Sequence, residues 1–152
     1  MNPSTPNAAL HPWRDPHVPT RIDAQAWVDG LEAAWRARDV DAVAALFAPD
    51  AVYYQGPFGE PHRGPDAIRK HWIAVLDKQV DPHIWFDRAV QDSDRGVVEW
   101  WCILHDPETR VPRTGSGVLT MRFAADGRCT HFHEYWHRLV DTALPCPENW
   151  HA

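Results

Sequence analysis

Residues 118–137 read VLTMRFAADGRCTHFHEYWH. Two runs rich in Val, Thr, Phe and Trp flank Asp126-Gly127, a pair suited to a tight turn, so the segment predicts a hairpin of two strands. Upstream the same character continues. Strands are expected over residues 83–90, 96–105, 113–124 and 128–139, with a second turn at Asp94-Arg95-Gly96. Before Asp81 the apolar spacing changes from strand-like to helical. A helix is expected over residues 21–37, beginning near Thr20, which can cap it with Asp23 three residues on. Trp27, Leu31, Ala34 and Trp35 form its apolar face. Asp39 caps a second helix over 40–47, closed by Pro49. Residues 51–55, AVYYQ, read as a short strand, followed by the turn-rich GPFGEPHRG. Gly64-Pro65 opens a third helix over 65–77, with Ile68, Trp72 and Val75 on its apolar face and His71 beside them. Helices first and a strand meander last predict an α+β fold.

Length and composition bound the rest. A chain of 152 residues is one domain's worth. It buries about 70% of its unfolded surface without needing a disulfide or metal. Residues 1–19 hold five prolines and predict an extended N-terminal arm; residues 141–152 predict a similar C-terminal tail, leaving 20–140 as the domain. A net charge of −6 argues against nucleic acid as a partner. No window reaches the roughly 18 apolar residues of a membrane span, and the N-terminus lacks the pattern of a signal peptide. Three widely spaced cysteines, Cys102, Cys129 and Cys146, fit reduced thiols in a cytoplasmic protein. No GxGxxG, P-loop, CxxC or GxSxG pattern is present, so no nucleotide cofactor or serine-hydrolase chemistry is expected. The unusual numbers are 9 Trp and 10 His. Most of the Trp fit a large aromatic core.

Three segments resemble one superfamily. Residues 38–59, RDVDAVAALFAPDAVYYQGPFG, are similar to the second helix and first strand of ketosteroid isomerases and SnoaL-like polyketide cyclases. Residues 62–72, HRGPDAIRKHW, resemble their Gly-led third helix, and residues 118–137 their last hairpin. The resemblance is to the nuclear-transport-factor-2-like superfamily. It implies a cone-shaped fold, with a curved mixed, mainly antiparallel sheet wrapped around three N-terminal helices. It also implies a small-molecule pocket and a homodimer formed through the convex sheet face. The fold hosts many activities, so it does not name one. Ketosteroid isomerase chemistry does not carry over: its Tyr, Asp base and protonated Asp align with Leu31, with Gln55 or Gly56, and with Ser116. No Asp–Arg–Asp set of the limonene epoxide hydrolase kind is evident. Phenazine-biosynthesis A/B proteins offer a closer local likeness. Their family uses a His on the third helix and a Glu on the last strand, and His71 and Glu134 stand at corresponding places.

Alternation splits the last strand into Thr130, Phe132, Glu134 and Trp136 on one face, and Cys129, His131, His133, Tyr135 and His137 on the other. The resemblance puts the first set in the pocket. Glu134 between Phe132 and Trp136 is then a carboxyl whose pKa burial raises. The competing account pairs it with Arg113 or Arg122 as a structural ion pair. His71 suits proton transfer, or is a satisfied core histidine. Both are candidate catalytic residues. Trp27 or Leu31, Tyr54, Gln55, Trp72, Trp101, Ser116, Phe132 and Trp136 are candidate substrate contacts, with Tyr53 expected on the opposite face. For strand 96–105 two inward sets stay open: Glu99, Trp101, Ile103 and His105, or Val98, Trp100, Cys102 and Leu104. The first would add Glu99 and His105 as candidates. His131, His133 and His137 share a face and are a weak candidate for metal binding; no metal or other cofactor is expected. The sequence therefore predicts a cofactor-free enzyme that moves protons on a small hydrophobic or aromatic molecule, by isomerisation, dehydration or cyclisation. The alternative is a binding or assembly protein using the same pocket.

Overall fold

The structure, a computed structural model, describes residues 22–150. The expected arm over 1–19 and the Thr20 cap lie outside the described residues. Helix α1 spans Ala24–Ala37, three residues shorter at its start than expected. Its cap is Asp23, whose carboxylate accepts the Ala26 N–H at 2.9 Å. Trp27, Val28, Leu31, Ala34 and Trp35 make its buried face. At its C-terminus Arg38 takes a left-handed turn at φ 56°. The Arg38 guanidinium donates to the Leu76 and Gln79 carbonyls at 2.8 and 2.9 Å, tying the helix end to the segment that follows the third helix.

Asp39 caps helix α2, Val40–Ala45, through the Ala42 N–H. The helix stops two residues before the expected Phe47, because strand β1 already begins there and runs Phe47–Tyr54. Pro49 therefore sits inside a strand instead of ending a helix. It is exposed, and the pairing of β1 shifts between Phe47 and Val52. A proline has no N–H for the ladder, so a bulge is where a strand accommodates it. The stretch expected as loop contributes the two-residue β2, His62–Arg63. Helix α3, Gly64–Leu76, follows with Pro65 in its first turn.

The strands are β3, Val80–Phe86; β4, Val90–Asp92; β5, Arg95–His105; β6, Pro112–Phe123; and β7, Cys129–Val140. The single strand expected over 83–90 is two, each antiparallel to a different part of β5: Ile84 faces Cys102, and Val90 faces Val97. The sheet order is β2-β1-β7-β6-β5-β3, with β4 beside β5. Only β1 and β7 run parallel, so the sheet is mixed and mainly antiparallel.

The helices lie against one face of this sheet. Trp27 packs on Phe47, Phe123 and Phe132 with ring centroids 5.5–6.1 Å apart. Gly117, where β6 meets β7, has no room for a side chain: a Cβ there would sit 2.0 Å from the Tyr135 carbonyl oxygen. The clash is with backbone, which no rotamer change relieves. Gly117→Ala is therefore expected to destabilise the fold by about 1–3 kcal/mol or more, read as a lower midpoint in chemical denaturation; an unchanged midpoint would contradict this account of the strand contact. Residues 141–150 form no helix or strand but are tied to the outer face. Trp101 Nε1 donates to the Leu144 carbonyl at 2.9 Å, and Thr114 Oγ1 to that of Thr142 at 2.7 Å. Among the described residues no helix is long and apolar enough to cross a membrane.

Candidate functional site

The register of the three long strands decides which side chains face the helices. Directly opposed residues of antiparallel strands point the same way. Trp100, Gly117 and Trp136 form one such row, and Cys102, Gly115 and Arg138 another. Val98, Leu119 and Glu134 form a third. Val98, Trp100 and Cys102 are buried under the helices. The inward set of β5 is thus Val98, Trp100, Cys102 and Leu104, and Glu99 and His105 belong to the outer set. The alternate row, Trp101, Ser116 and His137, faces outward. Trp101 and Ser116 are accordingly not pocket residues: Trp101 is covered by the tail, which also stacks Trp150 edge-on against it.

A cavity of about 270 Å³ remains between this face and helices α1 and α3. Leu31 and Trp35 come to it from α1, His71, Trp72 and Val75 from α3, Tyr53 and Gln55 from β1 and the residue after it. The sheet adds Phe86, Trp100, Cys102, Leu119, Phe132, Glu134 and Trp136. The expected Leu31, Gln55, Trp72, Phe132 and Trp136 therefore line the cavity, together with His71 and Glu134. Trp27 does not line it; its indole N–H donates to the Leu46 carbonyl within the core.

Tyr54 is placed on the outer face, stacked on His133 at 4.5 Å, and Tyr53 takes the inward position. This reverses the expected assignment of the two tyrosines. The signal was in the alternation: Tyr53, not Tyr54, shares a face with Gln55. On β7 the start of the inward set also shifts. Arg122 opposes His131 but Phe123 opposes Cys129, so Thr130 is an extra residue in the ladder. Cys129 is fully buried as a result, and Thr130 Oγ1 donates to the Arg122 carbonyl instead.

Glu134 is held by Tyr53, whose hydroxyl donates to its Oε1. Neither Arg113 nor Arg122 forms an ion pair with it among the described residues. Burial raises the carboxyl's pKa, the tyrosine hydrogen bond lowers it somewhat, and it settles at about 7. The Tyr53 phenol is driven well above its ordinary value, first by burial and then by the neighbouring Glu134 charge; Trp72 opposes the shift. His71 stacks on His62 at 4.2 Å and lies 5.2 Å from the Tyr53 ring. Burial lowers its pKa to about 4, with His62 and Lys78 adding to the shift. At neutral pH the site therefore holds a neutral imidazole, a neutral phenol and a carboxyl divided between its two forms. The Trp100 indole N–H is buried and has no hydrogen-bond partner among the described residues. That leaves a donor in the lining for a ligand oxygen.

His131, His133 and His137 project from the outer side of β7, where His133 stacks between Tyr54 and Tyr135. Among the described residues no group of three or more His, Cys, Asp or Glu is arranged to hold a metal ion.

This architecture recurs in solved structures. A hypothetical protein from Catenulispora acidiphila DSM 44928 with a ketosteroid isomerase-like fold, in complex with trimethylamine, superposes with a TM-score of 0.65 at 20% identity, over 72% of this chain and 83% of that one. A nuclear-transport-factor-2-like protein from Burkholderia pseudomallei K96243 gives 0.62 at 22%, over 74% and 88%. The epoxide hydrolase/cyclase-like enzyme SalBIII, of pyran ring formation in the polyether salinomycin, gives 0.65 at 16%, over 78% and 98%. The fold is thus nuclear-transport-factor-2-like. Within it, the SnoaL-like domain family matches residues 24–132, and the chain belongs to that family. No curated protein matches the chain in sequence.

Proposed function

We propose that this protein is an acid–base enzyme that needs no cofactor and acts on a small aromatic or apolar molecule held in the cavity. The observation that carries the reading is Glu134: a carboxyl hydrogen-bonded, among the described residues, only by Tyr53, open to an aromatic pocket, with its pKa at about 7. A base works best when its pKa lies near the operating pH. The ionised carboxyl takes a proton from a ligand carbon next to a carbonyl. The released electron pair moves onto the carbonyl oxygen, and a buried donor such as the Trp100 N–H stabilises the charge. The carboxylic acid then returns the proton at another carbon, which completes an isomerisation, or to a leaving hydroxyl, which completes a dehydration. His71, neutral at this pH, is a second acceptor beside Tyr53. The enzyme SalBIII shares the fold and is described as epoxide hydrolase/cyclase-like. That description agrees with this class of chemistry without naming a substrate here.

The test is hydrogen exchange from solvent. In heavy water the protein is expected to catalyse deuterium incorporation into some members of a panel of small aromatic ketones. Ligands that bind without any exchange would instead support a non-catalytic binding protein. The reading includes a homodimer through the outer face, where Tyr135 and Leu139 are 46% and 48% exposed. Sedimentation equilibrium showing only a 17.4 kDa species at tens of micromolar, roughly where weak dimers associate, would refute it. A cytoplasmic location goes with the three unpaired cysteines.

A further inference from the structure

Lys78, Arg113 and Arg138 also line the cavity. In a chain with 21 acidic and 15 basic residues, three cations around one small cavity stand out. None forms an ion pair with a carboxylate among the described residues. Arg113 donates one terminal N–H to the Lys78 carbonyl, which fixes the guanidinium, while its Nε is buried and without a partner among the described residues. Asp106 lies near enough to feel the Arg113 charge but is not bonded to it. A buried donor on a fixed cation is costly unless something accepts from it.

The cations share one end of the site. Along the inner face of β7 the order is Phe132, Glu134, Trp136, Arg138, running from fully buried to exposed. Arg138 lies over the Trp136 ring at 6.0 Å, and Lys78 is exposed. Arg113 projects inward opposite Leu104 at the same end of the sheet. The cavity thus has an aromatic body around Glu134 and a cationic mouth.

We propose that the ligand is a small aromatic acid, its rings against the tryptophan wall of Trp35, Trp72 and Trp100 and its carboxylate at the mouth against Arg113 and Arg138. Placed there, the anion stays partly hydrated and meets charge-assisted donors, while only its apolar part is desolvated. This rests on the cavity being the ligand site, as the proposed function requires.

Calorimetry with 2-naphthoate and 2-naphthamide, alike in shape and different in charge, tests it at pH 6. There the Glu134 carboxyl, with its pKa at about 7, is mostly protonated. The acid is expected to bind at least about tenfold more tightly than the amide. Arg113→Gln and Arg138→Gln should each erode that preference by weakening the acid far more than the amide, with an unchanged melting temperature reporting an intact fold. If Arg113→Gln fails to fold, Arg138→Gln at the exposed rim carries the comparison. Equal binding of acid and amide, or a preference that survives the substitutions, overturns this proposal alone. Failure of both probes to bind overturns the aromatic-ligand reading with it.

Discussion

Glu134→Gln is expected to slow deuterium exchange into the ligand by about 10²–10⁴-fold, while making the folded protein more stable above pH 7. The two effects have one origin. Gln fills the same space and still accepts the Tyr53 hydroxyl, so packing is conserved, but it cannot take a proton. In the unfolded chain the Glu134 carboxyl titrates near its ordinary value of 4.5; in the pocket it titrates at about 7. The folded state binds this proton more tightly, so the group's contribution to stability is fully present below about pH 4.5. It is lost as pH rises through about 7. At pH 8 the wild type carries an ionised carboxyl where the pocket disfavours one, at a cost of up to about 3 kcal/mol. The variant escapes that cost. Its melting temperature should match the wild type near pH 4.5 and exceed it increasingly towards pH 8. His71 acts in the opposite sense, adding stability above about pH 6.5 that is lost as pH falls through about 4. It is common to both proteins and cancels from the difference. A variant with full exchange activity, or one less stable at pH 8 than at pH 5 relative to wild type, would contradict this reading of Glu134.

Trp27→Ala is the largest stability effect expected, about 3–5 kcal/mol. The ring is 4% exposed and touches Phe47, Phe123 and Phe132. The loss is mainly the cavity left behind. The Leu46 carbonyl that accepts the indole N–H also accepts the Cys129 N–H, at 2.9 Å, and keeps that partner. Because Trp27 packs in the core and not in the lining, ligand affinity of the folded fraction should be unchanged. Denaturant unfolding and a binding titration on the same variant check both halves. A loss under 1 kcal/mol, or a fall in affinity with stability retained, would return Trp27 to the pocket.

Local patterns made the elements legible and left their orientation open. The helical spacing of Trp27, Leu31 and Trp35 is a pattern among near neighbours in the chain, and so is the turn at Asp126-Gly127; the corresponding elements are present. Alternation separates a strand into two sets, but which set faces inward depends on neighbours distant in sequence. Trp101 points outward because Leu144, 43 residues on, covers it, and Trp100 takes the cavity. Ser116 follows Trp101 through strand register. Irregularities in the ladder cannot be counted from spacing alone. The bulge near Pro49 and the extra Thr130 each change where inward positions begin. Glu134 and His71 were legible as candidates. The Tyr53 hydrogen bond was not, since it joins residues 81 apart. Nor was the cationic mouth, assembled from β6, β7 and the residue two beyond α3.

The central claim is that the pocket holds a carboxyl poised near neutrality with Tyr53 as its partner. The most direct test is a carbon-13 NMR titration of the Glu134 side-chain carboxyl, assigned by comparison with Glu134→Gln. The account predicts a midpoint near 7, and a higher one in Tyr53→Phe, because the lost hydrogen bond is the influence that lowers it. A midpoint near the ordinary carboxyl value of 4.5, unmoved by Tyr53→Phe, would contradict it.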